Sequence, residues 1–153
     1  MSAQNQPQPS IQVQKLYLKE ASFQIPEGSR AFQLEWHPEL SVDLNTETQK
    51  LPEPDTYDVT LKAHCTVKCK EVVAFVAEVS QAAVVLVSHM PEAQLPHLLG
   101  AYCPTLLYPY LREVVSEMVL KGGFPQLSLS AVNFEALFLQ QQQDAQPIST
   151  QKH

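Results

Sequence analysis

Residues 57 to 69, Tyr57-Asp-Val-Thr-Leu-Lys-Ala-His-Cys-Thr-Val-Lys-Cys69, decide the fold. Tyr57, Val59, Leu61, Ala63, Cys65, Val67 and Cys69 are apolar, and the positions between them, Asp58, Thr60, Lys62, His64, Thr66 and Lys68, are polar or charged. Successive strand side chains point to opposite faces, so this alternation predicts an antiparallel strand with one face buried and one wet. Working upstream, Leu40, Val42 and Leu44 alternate with Ser41, Asp43 and Asn45 in the same way. Working downstream, Lys70-Glu71 is a tight reversal into a fourth segment, Val72 to Val87. There Val73, Phe75 and Val79 are expected to face the core, with Val76 and Glu78 on the wetter side. A first strand near Val13 to Ile25 is less regular, because Leu16 and Leu18 fall on the face opposite Tyr17 and Phe23. Such a strand needs cover on both sides, which a second copy of the chain would provide.

After His89-Met90-Pro91 the period changes. Pro91 can open a helix, Gln94, Leu95, Leu98, Leu99 and Tyr102 follow at helical spacing, and Pro104 is expected to interrupt it. A second helix, from about Leu106 to Lys121, carries Leu107, Tyr110, Leu111, Val114, Val115, Met118 and Val119 on one stripe and stops at Gly122-Gly123. A third runs from an Asn133 N-cap through Glu135 to Gln142. Four strands followed by helices predict an α+β fold, a four-stranded antiparallel sheet with helices packed on one face.

The 153 residues suffice for one domain, and a hydrophobic share of 44% supplies a core for it. Residues 1–10 and 140–153 are rich in Gln, Pro and Ser, which sets the expected domain at 11–139 with a flexible tail on each side. A net charge of -6 repels polyphosphate, so nucleic acid and anionic lipid are poor partners and a basic partner is favoured. Four glycines, only two of them adjacent, argue against a phosphate-cradling loop. Six residues, as in Ala82 to Val87, is the longest apolar run and too short to span a membrane, and the polar start lacks the features of a secretory signal. A cytoplasmic location with three reduced cysteines is the expectation.

Few side chains suggest chemistry. His64, Cys65 and Cys69 resemble metal ligands in type, but on a strand His64 points away from Cys65 and no second pair completes the set. Cys103 near His97 is a possible nucleophile, yet the sequence shows neither a positioned base nor a depressed thiol pKa. Asp43, Glu47, Asp58 and Glu78 fall on solvent-facing strand positions, as a solvated face or as an acidic docking surface for a basic partner. No cofactor, metal or enzymatic activity is expected. Phe32, Trp36, Tyr102, Tyr108, Tyr110 and Phe124 lie partly in loops and at helix edges, more aromatic area than a compact core requires. The segment Pro26 to Pro38, carrying Phe32 and Trp36, is a candidate wall of a groove for extended peptide.

Longer strings then point to a family. Gln14-Lys-Leu-Tyr-Leu-Lys-Glu20, Leu99-Gly-Ala-Tyr-Cys-Pro-Thr-Leu-Leu-Tyr-Pro-Tyr110, Phe124-Pro-Gln-Leu-Ser-Leu129 and Val132-Asn-Phe-Glu-Ala-Leu-Phe138 resemble the SecB protein-export chaperones across essentially the whole core. The resemblance implies a homotetramer, a dimer of dimers with helices between two larger sheets. It also implies an ATP-independent holdase that binds unfolded precursor proteins and passes them to the SecA translocase motor. The client groove it implies takes in Phe32, Trp36, Val42, Leu44, Leu98, Tyr102, Leu106 and Tyr110. The motor docks through a zinc-carrying tail on an acidic sheet face, where Glu20, Gln24, Val76 and Glu78 hold the matching positions, so the zinc belongs to the partner. Three features depart from the family: Gln24 replaces a usual acid, Pro96 lies in the expected first helix, and the tail carries Lys152 in an unfamiliar pattern. A relative dedicated to a toxin–antitoxin system is the alternative.

Overall fold

A computed structural model describes residues 8–145, so the expectations for the two chain ends lie largely outside the described residues. Four antiparallel strands form one sheet: β1 (Ser10–Gln24), β2 (Pro38–Lys50), β3 (Thr56–Cys69) and β4 (Val72–Ser88), in the order β1-β4-β3-β2. The deciding stretch is thus a central strand. Its alternation holds from Leu61 to Cys69, with Leu61, Ala63, Cys65, Val67 and Cys69 sealed and His64 and Lys68 exposed; nearer its start Val59 is sealed too, but Thr56 and Thr60 on the outer face are also buried. The β3–β4 reversal is a two-residue turn with Lys70 and Glu71 both at positive φ (52° and 72°), the backbone twist that a tight hairpin demands.

Bulges correct the readings of β1 and of the start of β4. The pairing of β1 with β4 slips between Val13 and Lys15 and again between Leu18 and Glu20, leaving Gln14 and Lys19 as extra residues. Each bulge resets the alternation. Leu16 and Leu18 therefore share a face with Phe23, paired with Ala83, Gln81 and Ala77, instead of lying opposite it. On β4 the slip falls at Ala74, so Val73 pairs with Lys68 and lies half-buried on the outer face, while Phe75 and Val79 face the core as expected.

The helices cover the inner face. A 3-10 turn (Glu92–Gln94), a short α1 (Leu95–His97) and a π turn (Leu98–Tyr102) lead without a break into α2 (Cys103–Lys121). Pro104 does not interrupt, because it sits in the first turn of α2, and the hydroxyl of Thr105 donates to the carbonyl of Ala101 at 2.8 Å. Pro96 likewise falls in the first turn of α1, where its missing N–H costs nothing. α2 lies across β3 and β4 and seals Leu107, Leu111, Val115 and Val119 against them. It ends in a Schellman motif: Phe124 N–H donates to Val119 O at 3.2 Å and Gly123 N–H to Leu120 O at 3.0 Å, with Gly123 at φ 93°. Gly122 is required for a second reason, since a Cβ there would stand 2.3 Å from the Phe23 ring.

The segment after α2 is irregular but stitched down, with Ser116 Oγ donating to Leu127 O at 3.0 Å and the Tyr108 hydroxyl donating to Ser130 O. α3 (Phe134–Ala145) is capped by Asn133, whose side-chain oxygen accepts from Ala136 N–H at 3.0 Å. The helix continues past Leu139 and Gln142 to Ala145, further than composition implied. Its first turns dock on the π turn. His97 Nε2 lies 2.7 Å from the Glu135 carboxylate, and Gly100 leaves room for Phe138, whose ring would meet a Cβ there at 2.7 Å.

Candidate functional site

One end of the molecule carries five stacked rings. The 3-10 turn Gly28–Gln33, between β1 and β2, buries Ala31 and turns Phe32 outward. Phe32 and Trp36 both stack on Phe124, at centroid distances of 4.9 and 5.6 Å. Phe124 in turn rests on Phe75 at 4.8 Å, and Phe75 on Phe23 at 5.0 Å. Phe75 and Phe124 are buried, Phe23 and Trp36 are half-buried, and Phe32 remains 52% exposed. The segment bearing them is tied to the β3–β4 turn, where Lys70 pairs with Glu35 and His37 stands 3.4 Å from the same carboxylate. The Lys70 ammonium first, and His37 second, hold the Glu35 carboxyl below the ordinary range.

A trough of about 540 Å³ runs along β2. Leu40, Val42 and Leu44 form one wall, Tyr108 and Leu129 lie across from them, and Val132, Ala136 and Leu137 bring α3 to its rim. The strand alternation set Val42 and Leu44 on one face with Leu40; their place in a groove came from the family resemblance. Leu129, Val132, Ala136 and Leu137 were not legible as groove residues, because only the return of the chain after Gly123 carries them over β2. Phe32, Trp36, Leu98, Tyr102, Leu106 and Tyr110 do not line this trough.

The remaining four expected residues form a stripe. Leu98, Tyr102, Leu106 and Tyr110 recur every fourth position, with Tyr102 and Tyr110 at 46% and 43% exposed and the two leucines half-buried. Of the six aromatics singled out in the sequence, Tyr108 and Phe124 belong to the core; Phe32, Tyr102 and Tyr110 are open, and Trp36 is intermediate.

The outer sheet face is polar, and its rows follow from the register. Gln24, Val76, Thr66 and Ser41 stand in one row, Ser22, Glu78, His64 and Asp43 in the next, and Glu20, Ser80, Lys62 and Asn45 in the third. Glu20, Gln24, Val76 and Glu78 thus lie on neighbouring positions of β1 and β4 on that face. His64 Nδ1 is 2.7 Å from Glu78 Oε2, and Lys62 Nζ is 3.3 Å from Glu47 Oε2. Asp58 differs from the solvated carboxylate expected: it is mostly covered and accepts from the Tyr17 hydroxyl, Lys19 and Thr60. Burial, with the hydrogen bond to Asp58 and its charge, pushes Tyr17 up to about 12.

The cysteines face inward. Burial pushes the Cys103 thiol up to about 12, and burial with the nearby Asp43 charge pushes Cys65 up to about 11. Both are protonated at neutral pH, the opposite of an activated nucleophile. His97, the base considered for Cys103, is engaged with Glu135. His64 lies on the outer face and Cys65 and Cys69 on the inner, and among the described residues no three His, Cys, Asp or Glu side chains are grouped to hold a metal. No helix of the described residues is long and apolar enough to cross a membrane.

Comparison with known proteins agrees with this architecture. The family model for preprotein translocase subunit SecB matches residues 4–145. Protein-export protein SecB 1 of Francisella tularensis subsp. novicida is 48% identical over 133 residues, covering 87% of this chain and 89% of its own. Protein-export protein SecB of Psychrobacter cryohalolentis is 45% identical over 144 residues, covering 94% and 95%. Among solved structures, a SecB-like chaperone of Mycobacterium tuberculosis, in complex with a ChAD peptide from an antitoxin, superposes with a TM-score of 0.64. It is 16% identical, covering 80% of this chain and 90% of that one, a likeness of fold alone. With its sheet, its helical cover and nearly its whole length matched, the chain belongs to the SecB family.

Proposed function

We propose that the chain is an ATP-independent holdase that binds unfolded precursor proteins, keeps them competent for translocation, and delivers them to the SecA motor. The observation that carries this reading is open aromatic and apolar surface on rigid supports: Phe32 and Trp36 on the buried Phe124, and Tyr102 and Tyr110 on a helix whose other side is sealed. Unrelated unfolded chains share only apolar side chains and backbone hydrogen-bonding groups, so a general holdase needs surface of this kind. Groove residues are Phe32, Trp36, Val42, Leu44, Leu98, Tyr102, Leu106 and Tyr110, with Leu40 and Leu137 added by the trough.

Assembly as a dimer of dimers fits the same surface. Val13 and Leu18 lie on the helix-covered side of edge strand β1 yet are 40% and 48% exposed, apolar area that a second copy would cover. Several moderate subsites on one assembly would then hold a wrapped client tightly through effective concentration. Glu20, Gln24, Val76 and Glu78 are the docking positions for the motor on the outer face. General export is favoured over an antitoxin-dedicated role because the protein-export relatives are 45–48% identical and the antitoxin-peptide chaperone 16%.

Dilution of a denatured precursor into buffer without nucleotide, with and without the chain, tests this. The expected result is suppressed aggregation and a soluble complex, with the free chaperone at about four times the 17.1 kDa chain mass by light scattering. Unchanged aggregation at stoichiometric chain contradicts the holdase reading, and a monomeric mass contradicts the assembly.

A further inference from the structure

We infer that a socket formed by His97 and Gly100 gauges the trough along β2, setting through α3 how bulky a client side chain the trough admits. The inference rests on the reading of that trough as part of the client groove and adds two positioning residues that do not line it.

The socket begins with a proline. Pro104 has no N–H to offer the Gly100 carbonyl four residues back, and its ring crowds that carbonyl, so the helical ladder widens to π spacing over Leu98–Tyr102. Gly100, in the middle of this turn, presents bare backbone. The Phe138 ring of α3 lies so close that a Cβ on Gly100 would stand 2.7 Å from it. His97 closes the socket twice: its ring meets Phe138 edge to face at 5.7 Å, and its Nε2 stands 2.7 Å from both Glu135 oxygens. Half exposed on both sides, that pair orients α3 more than it stabilises the fold.

Helical spacing puts Glu135 and Phe138 on one face of α3 and Ala136, Leu137 and Gln140 on the opposite face. The second set lines the trough whose other wall is β2. α3 thus stands as a bar between socket and trough. Phe134, buried edge to face on Tyr108 at 5.4 Å, fixes its near end, so the seating of Phe138 decides where Leu137 and Gln140 stand. A deeper seat widens the trough and a shallower one narrows it. Small shifts count, because a gap of about 1 Å already forfeits up to half of a contact's dispersion attraction.

Two fluorescein-labelled unstructured peptides, identical but for valine or phenylalanine at their apolar positions, test the gauge when titrated by anisotropy against the intact chain. The quantity read is the ratio of their affinities, which a merely structural role would not move. Gly100→Ala, which pushes Phe138 outward, is expected to lower the preference for phenylalanine about fivefold, and Phe138→Leu added to it to restore the ratio to within about twofold. Phe138→Ala alone, which lets α3 settle deeper, is expected to raise that preference about threefold, and it decides alone where Gly100→Ala fails to fold. An unchanged ratio in Phe138→Ala, or in a Gly100→Ala chain that melts as a folded protein, overturns the gauge while the groove stands. If the unsubstituted chain binds neither peptide, the groove reading fails and the gauge with it.

Discussion

The two sides of α2 carry the same chemistry and meet different fates. On one side Leu107, Leu111, Val115 and Val119 are sealed against β3 and β4; on the other, Tyr102 and Tyr110 stand open in one stripe with the half-buried Leu98 and Leu106. The aromatic end repeats the contrast within one stack, where Phe75 and Phe124 are buried and Phe32, stacked directly on Phe124, is half in water. Apolar character therefore does not separate core from binding surface in this protein. Cover does, and cover follows from the register of the sheet and the course of the chain after Gly123. The sealed side holds the scaffold rigid so that the open side can present aromatic area without collapsing onto it.

Substitutions on the two sides should part stability from binding. The largest expected effect is on the sealed side: Leu111→Ala leaves a cavity beneath α2 and costs about 2–5 kcal/mol. It should lower the urea midpoint while client affinity per folded molecule stays the same. On the open side, Trp36→Ala should weaken an unfolded client about tenfold, about 1.4 kcal/mol, with assembly mass unchanged. Tyr110→Ala should act in the same direction by about threefold. On the outer face, Glu78→Lys should spare client binding and reduce motor affinity severalfold at low salt, the difference shrinking as salt rises. The smallest effect belongs to the thiols. Cys65, Cys69 and Cys103 are buried, so alkylating reagents should leave native holding activity unchanged and label the chain only after unfolding. A thiol raised from 9.0 to about 12, as at Cys103, keeps its proton in the folded state while the unfolded chain loses it. Stability is therefore full below pH 9 and falls as pH rises from 9 towards 12, a trend that chemical denaturation at stepped pH will show.

The strands were legible where one side chain faces one partner. β3 could be read from Tyr57 to Cys69 because no bulge interrupts its alternation before Val67, and the outer-face set of Val76 and Glu78 followed from the same rule. β1 was obscured by Gln14 and Lys19, whose residue types do not announce a bulge, so the faces of Leu16 and Leu18 relative to Phe23 were misread. Ala74 did the same to Val73. Pro104 was read as a stop because proline removes a donor, but a helix tolerates that loss in its first turn. The Gln-rich run after Leu139 was assigned to a tail on composition, although glutamine is a good helix former and α3 continues to Ala145. The exposed aromatics stood out because Phe32 and Trp36 lie between strands. The trough wall from Leu129 to Leu137 depends on long-range packing that no local pattern encodes.

Trp36 is the chain's single tryptophan and lies on the open side of the aromatic stack, so its fluorescence reports on the surface that matters most. On titration with a tryptophan-free unfolded client, the emission should shift to the blue and acrylamide quenching should fall, both saturating with the stoichiometry of binding. A client that binds tightly while Trp36 emission and quenching stay unchanged would show that the chain holds its clients elsewhere.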